Sequence, residues 1–242
     1  MSEKKVSEAI AYRRSVRIFD DKQKVITGTV KKCLEQAHLA ASSSNLQLWE
    51  FHHIISETKC KLVAKTCFNQ PAAKTAQQLV VVVVRRDLWQ QRVAANIEYI
   101  KKGFLKKNIV DSDTQKRALN YYQEIIPQLY KGGNPLRGFL NKLVIIIKGI
   151  SKTTYREVSR SDLRVVGHKS AALAAQNFMI SMAGHGYDTC QMEGFDSKQV
   201  KKLLKLPSGA EISMIVGCGV RKPEGIYGER FRVPFEEVYK KS

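Results

Sequence analysis

Thirteen residues from Ala171 to Ala183, AALAAQNFMISMA, are small or apolar on nearly every face, interrupted mainly by Gln176, Asn177 and Ser181. A helix that is apolar all round is a buried one, so this stretch reads as a central core helix. Gly184 and Gly186 supply the permissive backbone on which helices end. Tyr187 to Met192 then reads as a short strand leading into the polar turn Glu193-Gly194. A turn held rigidly at the end of a core element is a usual place for a binding site.

At 242 residues with 43% hydrophobic and 26% charged content, the chain is long enough to bury a proper core, and its composition is that of a soluble globular protein. The N-terminus lacks the apolar core of a signal peptide, and no stretch approaches the roughly 18 apolar residues of a membrane span. The expectation is a cytoplasmic protein without stable membrane insertion. Five cysteines without C-x-x-C spacing read as reduced core thiols. In a strand, His52 and His53 face opposite ways, which argues against a shared metal; no metal site is expected.

The formal net charge of +19 invites an anionic partner: nucleic acid, a membrane surface or an anionic small ligand. Lysines spread as Lys31-Lys32, Lys101-Lys102 and Lys201-Lys202 fit a solvated basic surface equally well. Arg13, Arg14, Ser15 and Arg17 lie within five residues, and guanidinium groups bind phosphate bidentately; alone, the cluster is either a charge run or a phosphate site. Thr29 to Ala41 has the pattern of an amphipathic helix, and it opens into Ser42-Ser43-Ser44-Asn45-Leu46-Gln47-Leu48-Trp49. That loop is an ordinary Ser/Asn turn or a grip on a polar ligand.

Trp49 to Ile55 reads as a strand, Lys59 to Cys67 as a helix, Pro71 as the start of a short helix, and Leu79 to Val84 as a strand covered on both faces. Trp89 to Lys107 and Thr114 to Tyr130 look helical, Gly132-Gly133-Asn134-Pro135 is a break, and Phe139 to Ile150 is strongly apolar. Residues from about 88 to 164 therefore read as an insertion or lid, whose apolar run is a core element, a pocket wall or a membrane-surface helix. Asp196 is placed as an N-cap with Gln199 as its box partner, starting a helix that turns Val200, Leu203 and Leu204 inward. Glu211 to Val220 is another strand, and the tail carries a second arginine pair, Arg230 and Arg232. With no linker or repeat, the expectation is a single domain over 1–242.

Four separated segments, R-R-S-V-R-x-F-D, S-S-S-N-x-Q-x-W, Q-M-E-G-F-D and R-F-R-V-P, occur in the order in which they occur in the FMN-dependent nitroreductase family, and the chain resembles that family everywhere except about 88 to 164. The resemblance implies an α+β fold with a central, mostly antiparallel sheet flanked by helices, a helical lid insertion, and a homodimer with FMN at its interface. It implies an NAD(P)H-dependent oxidoreductase that reduces nitroaromatics, quinones or related small-molecule acceptors by ping-pong hydride transfer. Arg13, Arg14 and Ser15, with Arg230 and Arg232, resemble the FMN phosphate site, and Arg17 the cation beside flavin N1 and O2. Ser42, Ser43, Asn45 and Gln47 resemble the loop that reaches the flavin from the other subunit. Asn69 resembles an amide reading the ring edge, and Met192, Glu193 and Gly194 the turn against N5. Arg17 and Glu193 are the catalytic candidates, Glu193 having a plain alternative as a turn carboxylate.

The chain departs from the family pattern at Gln191, where many members have proline, and at Ala72, where one branch has lysine; Lys74 stands two residues on. Two other readings stay open. One is a flavin-binding relative with different redox chemistry, such as dehalogenation or ring oxidation. The other is a basic protein binding nucleic acid or a membrane surface, although no nucleic-acid motif is present.

Overall fold

The structure, a computed structural model, describes residues 3–107, 112–131, 144–145, 147 and 149–242. In chain order its principal elements are α1 (Val6–Tyr12), α2 (Thr27–His38), β1 (Trp49–Ile54), α3 (Glu57–Thr66), α4 (Pro71–Thr75), β2 (Gln78–Val84), α5 (Trp89–Lys106), α6 (Asp113–Asn120), α7 (Ile126–Tyr130), α8 (Arg160–Gly184), β3 (Asp188–Met192), α9 (Ser197–Leu203), β4 (Glu211–Gly219) and α10 (Phe235–Val238). The strands form one antiparallel sheet in the order β1-β2-β4-β3. An α+β fold with an antiparallel sheet flanked by helices is what the family resemblance implied.

β2 is buried at every position because its β-branched run faces two separate cores. Leu79, Val81 and Val83 point into a cluster with α3, α4 and α9, while Val80, Val82 and Val84 point into a cluster with α2 and α8. This is the two-residue period of a strand with both faces covered.

Helix α8 is longer than the apolar stretch that announces it, beginning at Arg160 behind a capping box in which Ser159 accepts from the Asp162 N–H. It is also not buried all round. Ala171, Ala174, Ala175, Phe178 and Met182 face the sheet, but Leu173 and Val165 are each 52% exposed, and Ala172, Gln176 and Asn177 are exposed beside Leu173. Composition alone cannot separate a face that meets the sheet from a face that does not.

Other boundaries shift modestly. α2 starts two residues before and ends three residues before the predicted span. In α9, Val200 is buried and Leu204 packs against the core, but Leu203 is 39% exposed and faces outward, a correction to the inward reading. The predicted helix 114–130 is interrupted by a π-helical turn, Tyr121–Ile125, between α6 and α7. These helices share a small core of Leu46, Leu48, Val93 and Ile126, beside which Trp89 stacks on Tyr130 at 5.6 Å. The apolar run 139–150 falls mostly outside the described residues. All five cysteines are buried free thiols. His52 lies 3.5 Å from Glu50 and His53 bonds Gln78 at 2.7 Å, so the two rings have separate partners.

Candidate cofactor site

The segment after α1 is stitched into the sheet's edge. Ser15 bridges Thr189 of β3, the Val16 N–H donates to the Thr189 carbonyl at 3.2 Å, and the Arg17 N–H donates to the Gly225 carbonyl at 2.7 Å. Gly225 is required there, since a Cβ would lie 2.3 Å from the Ile18 carbonyl oxygen. Beneath this junction Asp188, 2% exposed, accepts from the Arg221 N–H and Nε at 2.8 Å each, and the same guanidinium lies 4.2 Å above the Tyr12 ring.

The tail then folds back over the N-terminal arginines. Arg14 Nη2 donates to the Gly228 carbonyl at 2.7 Å, and Arg230 Nη2 donates to the carbonyls of Ala11 and Arg13 at 2.8 and 2.6 Å. The result is a cleft of about 170 Å³ lined by Arg13, Arg14, Ser15, Arg17, Arg230 and Arg232, with Tyr227 and Glu229 among its walls. Arg17 lies 5.2 Å from the Tyr227 ring centre, a cation–π distance. Two arginine sets more than two hundred residues apart in sequence therefore meet in one place.

The cleft has the electrostatics of an anion site. Arg13 Nη1 is buried and has no hydrogen-bond partner among the described residues. Burial, followed by the neighbouring Arg230 and Arg232 charges, holds the Arg13 guanidinium below its ordinary pKa. Like charges gathered around an unsatisfied buried donor are costly without an anion. A phosphate dianion would satisfy the donor and relieve the repulsion together, so these residues fit the phosphate of FMN.

The second predicted element lies at the other end of β3. From Thr189 to Gly194 is five residues, about 16 Å of extended chain. Met192 is buried in the core and pairs with Ile215 of β4, whereas Glu193 and Gly194 are exposed. The Gly194 carbonyl accepts from Gln70 Nε2 at 2.6 Å, and the Asp196 N–H donates to the Thr66 carbonyl at 2.8 Å. Asn69, exposed and left-handed at φ 52°, is thereby brought next to the turn. Of the two departures, Gln191 is exposed on the edge strand, and Ala72 is buried in the core with Lys74 exposed nearby.

No residue of the Ser42–Gln47 loop lines the arginine cleft. The Ser43 N–H donates to Ser170 Oγ at 3.3 Å, while the segment leading to Arg13 is tied to the far end of α8, where the Lys4 N–H donates to the Gly184 carbonyl at 2.9 Å. Fourteen residues of helix separate these anchors, about 21 Å. The loop is nonetheless tightly built. Ser44, Asn45 and Gln47 all have positive φ. Asn45 and Asn96 bond reciprocally, Asn45 Nδ2 to Asn96 Oδ1 at 2.9 Å and Asn96 Nδ2 to the Asn45 carbonyl at 3.1 Å. Tyr121 and Tyr122 both reach Ser44.

Sequence reading overlooked Tyr227, Glu229, Gln70, Asn96 and the two tyrosines. Tyr227 and Glu229 lie within three residues ahead of Arg230 in the sequence, and Asn96 is a polar residue on the inward stripe of an amphipathic helix; either signal could have been followed.

An antiparallel sheet with helices on both faces and an arginine cleft at one edge strand defines an α+β protein whose edge cleft has the chemistry to take an anion. The chain matches the Nitroreductase family over residues 10–220 and belongs to that family. Protein DrgA of Synechocystis is 27% identical over 214 residues, covering 88% of this chain and 83% of that one. YdgI of Bacillus subtilis, provisionally named an NAD(P)H nitroreductase, is 24% identical over 233 residues, covering 96% and 94%. A protein of Exiguobacterium sibiricum solved in complex with FMN shares the fold with a TM-score of 0.69 at 20% identity, covering 100% of this chain and 99% of its own.

Proposed function

We propose that this protein is an FMN-dependent oxidoreductase that takes electrons from NAD(P)H and delivers them to oxidised small molecules such as nitroaromatics or quinones. The observation that carries the reading is the convergence of Arg13, Arg14 and Arg17 with Arg230 and Arg232 around the unpartnered Arg13 Nη1. When bound, FMN supplies a ring that can accept and release a hydride, so the protein's task is binding, orientation and electrostatics. Arg13, Arg14, Ser15, Arg230 and Arg232 hold the phosphate. Arg17 contributes positive charge along the path from the cleft to the turn, favouring an electron-rich ring by Coulomb attraction. The backbone of Met192, Glu193 and Gly194, its Gly194 carbonyl fixed by Gln70, presents amide groups to the ring, with Asn69 beside it. Donor and acceptor use the exposed space over this turn in succession, the pattern of ping-pong kinetics.

The functional unit in this reading is a homodimer of single nitroreductase-like domains, each with residues 88–164 as a lid. The exposed face of α8 around Val165, Leu173 and Gln176 needs a cover, and the tail leaves Phe231, Phe235 and Tyr239 at 78%, 66% and 53% exposure. A second copy would cover apolar surface and bring Ser42, Ser43, Asn45 and Gln47 to the cofactor from across the interface.

The direct test is to purify the protein, measure its visible absorption, and titrate it anaerobically with NADH and NADPH. A flavin spectrum that bleaches with either nucleotide and recovers on adding a quinone or nitroaromatic is the expected result, with parallel double-reciprocal lines. A colourless protein that takes up no added FMN would refute the reading. Arg17→Ala is expected to lower the rate of flavin reduction, and an unchanged FMN content and rate would remove Arg17 from its role.

A further inference from the structure

The C-terminal half of α5 departs from the usual outward face of a surface helix. Residues 99–107 read YIKKGFLKK, four lysines with no acidic residue. At 3.6 residues per turn, the outward arc runs Lys101, Leu105, Glu98, Lys102, Lys106, Tyr99; Glu98 is exposed and pairs with Lys102 at 2.6 Å, so Leu105 stands beside Lys101 and Tyr99 beside Lys106. Leu105 is 66% exposed, Tyr99 is 77% exposed, and the four lysines are exposed. Ile100 and Phe104 are half-buried behind them and line a surface hollow of about 430 Å³ with Tyr99, Lys102 and Lys106.

The same insertion repeats this chemistry. Val144, Ile147 and Ile150, spaced three apart, are 48%, 66% and 82% exposed, and Tyr155 is 54% exposed beside exposed Lys152 and Arg156. From 144 to 156 there is again no acidic residue. Leu88 to Arg164 carries fifteen Lys and Arg against six Asp and Glu, so the insertion supplies much of the charge of the chain. Scattered single exposed apolar residues mean little, but aliphatic and aromatic side chains framed by lysines, with Glu98 as the one acidic residue on the arc and that one paired to Lys102, suit one kind of surface.

We infer that the insertion docks the protein peripherally on an anionic lipid surface through the Lys101–Leu105–Lys102–Lys106–Tyr99 arc of α5. Lysines flanking an apolar residue can bury their methylene stems and snorkel their ammonium groups to lipid headgroups. Tyr99 supplies the ring with a polar tip that favours the interfacial depth. Nucleic acid is the poorer match, because Leu105, Val144, Ile147 and Ile150 have nothing to read on a phosphate backbone, whereas they have acyl chains to enter in a bilayer. The contact lies on the membrane plane and does not cross it: no helix among the described residues is long and apolar enough to span a bilayer.

The experiment is co-sedimentation of the nuclease-treated, full-length protein, as purified, with vesicles of phosphatidylglycerol and phosphatidylcholine or of phosphatidylcholine alone. Two double variants accompany it, Tyr99→Ser/Leu105→Ser and Lys101→Glu/Lys106→Glu. Wild type is expected to sediment with the anionic vesicles and not with the neutral ones, in a salt-dependent way. Each double variant is expected to partition roughly tenfold more weakly or worse, with unchanged thermal midpoint and unchanged FMN content. Equal partitioning of wild type and both variants, or no sedimentation of wild type, overturns the inference. So does a Tyr99→Ser/Leu105→Ser variant whose lost property is self-association or soluble-acceptor turnover, since the arc would then cover a second copy or serve the active site.

Discussion

Arg13 is the residue on which the cleft depends, because among the described residues lining the cleft its Nη1 is the buried guanidinium donor without a hydrogen-bond partner. A hydrogen bond to a charged group contributes about 1.5–3 kcal/mol, so Arg13→Ala is expected to weaken FMN binding by roughly ten- to a hundredfold, measured by fluorescence titration of the apoprotein. Arg13→Lys should recover little, since a single ammonium cannot reproduce the planar fork. Glu211 makes an independent prediction. Burial opposes its charge, but Arg86, Arg164 and His168 overcome that and hold its pKa down to about 2. A depressed carboxylate contributes stability above its unfolded pKa of 4.5 and loses it as pH falls toward the folded value. The stability difference between wild type and Glu211→Gln is therefore expected to be full at pH 7 and to shrink steadily below about pH 4.5, followed by urea unfolding across that range. The arginine motif was legible because its residues are neighbours in sequence. The Glu211 cluster was not, because its partners come from 86, 164 and 168 and only the packing of α8 on the sheet unites them.

Among the elements, the Ser42–Gln47 loop shows what local sequence can and cannot specify. Its serines and amides announced a loop, but not the left-handed φ at Ser44, Asn45 and Gln47, which costs non-glycine residues energy and persists only when the surroundings enforce it. The enforcement comes from the insertion. Asn96, 8% exposed, bonds Asn45 twice and its own helix at the Arg92 carbonyl, and Tyr121 and Tyr122 meet Ser44 from the π-helical turn. Wide π turns recur at functional sites, and this one directs adjacent tyrosines to the same residue. Asn96→Ala leaves the Asn45 amide and carbonyl without those partners, so a loss of about 1–3 kcal/mol is expected, seen as faster amide exchange across 43–47 together with weaker FMN retention. Faster exchange with unaltered FMN binding would mean that the loop has no part in the cofactor site. β2 lay at the opposite extreme: six β-branched or leucine positions, alternating between two cores, made its burial readable from the chain alone.

At the scale of the whole molecule the largest misreading, α8 as a helix buried on all sides, is itself informative. The stretch 171–183 is as apolar as a core helix, yet one protomer's sheet and α2 cover only one face, and Leu173 stays half exposed at the middle of the other. A face that carries Leu173 and Val165 among Lys169, Gln176 and Asn177 and that its own chain leaves uncovered is surface that a second copy can bury. The Ser42–Gln47 loop and the chain ahead of the arginine cleft are tied to opposite ends of α8, about 21 Å apart along the helix, an offset that a two-fold partner can bridge. A stable dimer buries upward of about 1,200 Å², and a carboxylate put in place of Leu173 must be desolvated on association, a cost that exposed Lys169 one turn away offsets only in part. Leu173→Glu is accordingly expected to give a folded monomer by sedimentation velocity, since residue 173 is exposed within the protomer and its replacement leaves the sheet-facing core intact. In the proposed dimer, where Ser42, Ser43, Asn45 and Gln47 come to the cofactor from the second copy, the same variant is expected to lose FMN as well. A monomeric Leu173→Glu protein that kept its flavin with wild-type affinity would separate the two claims, leaving the dimer in place and confining the cofactor to the residues of one chain.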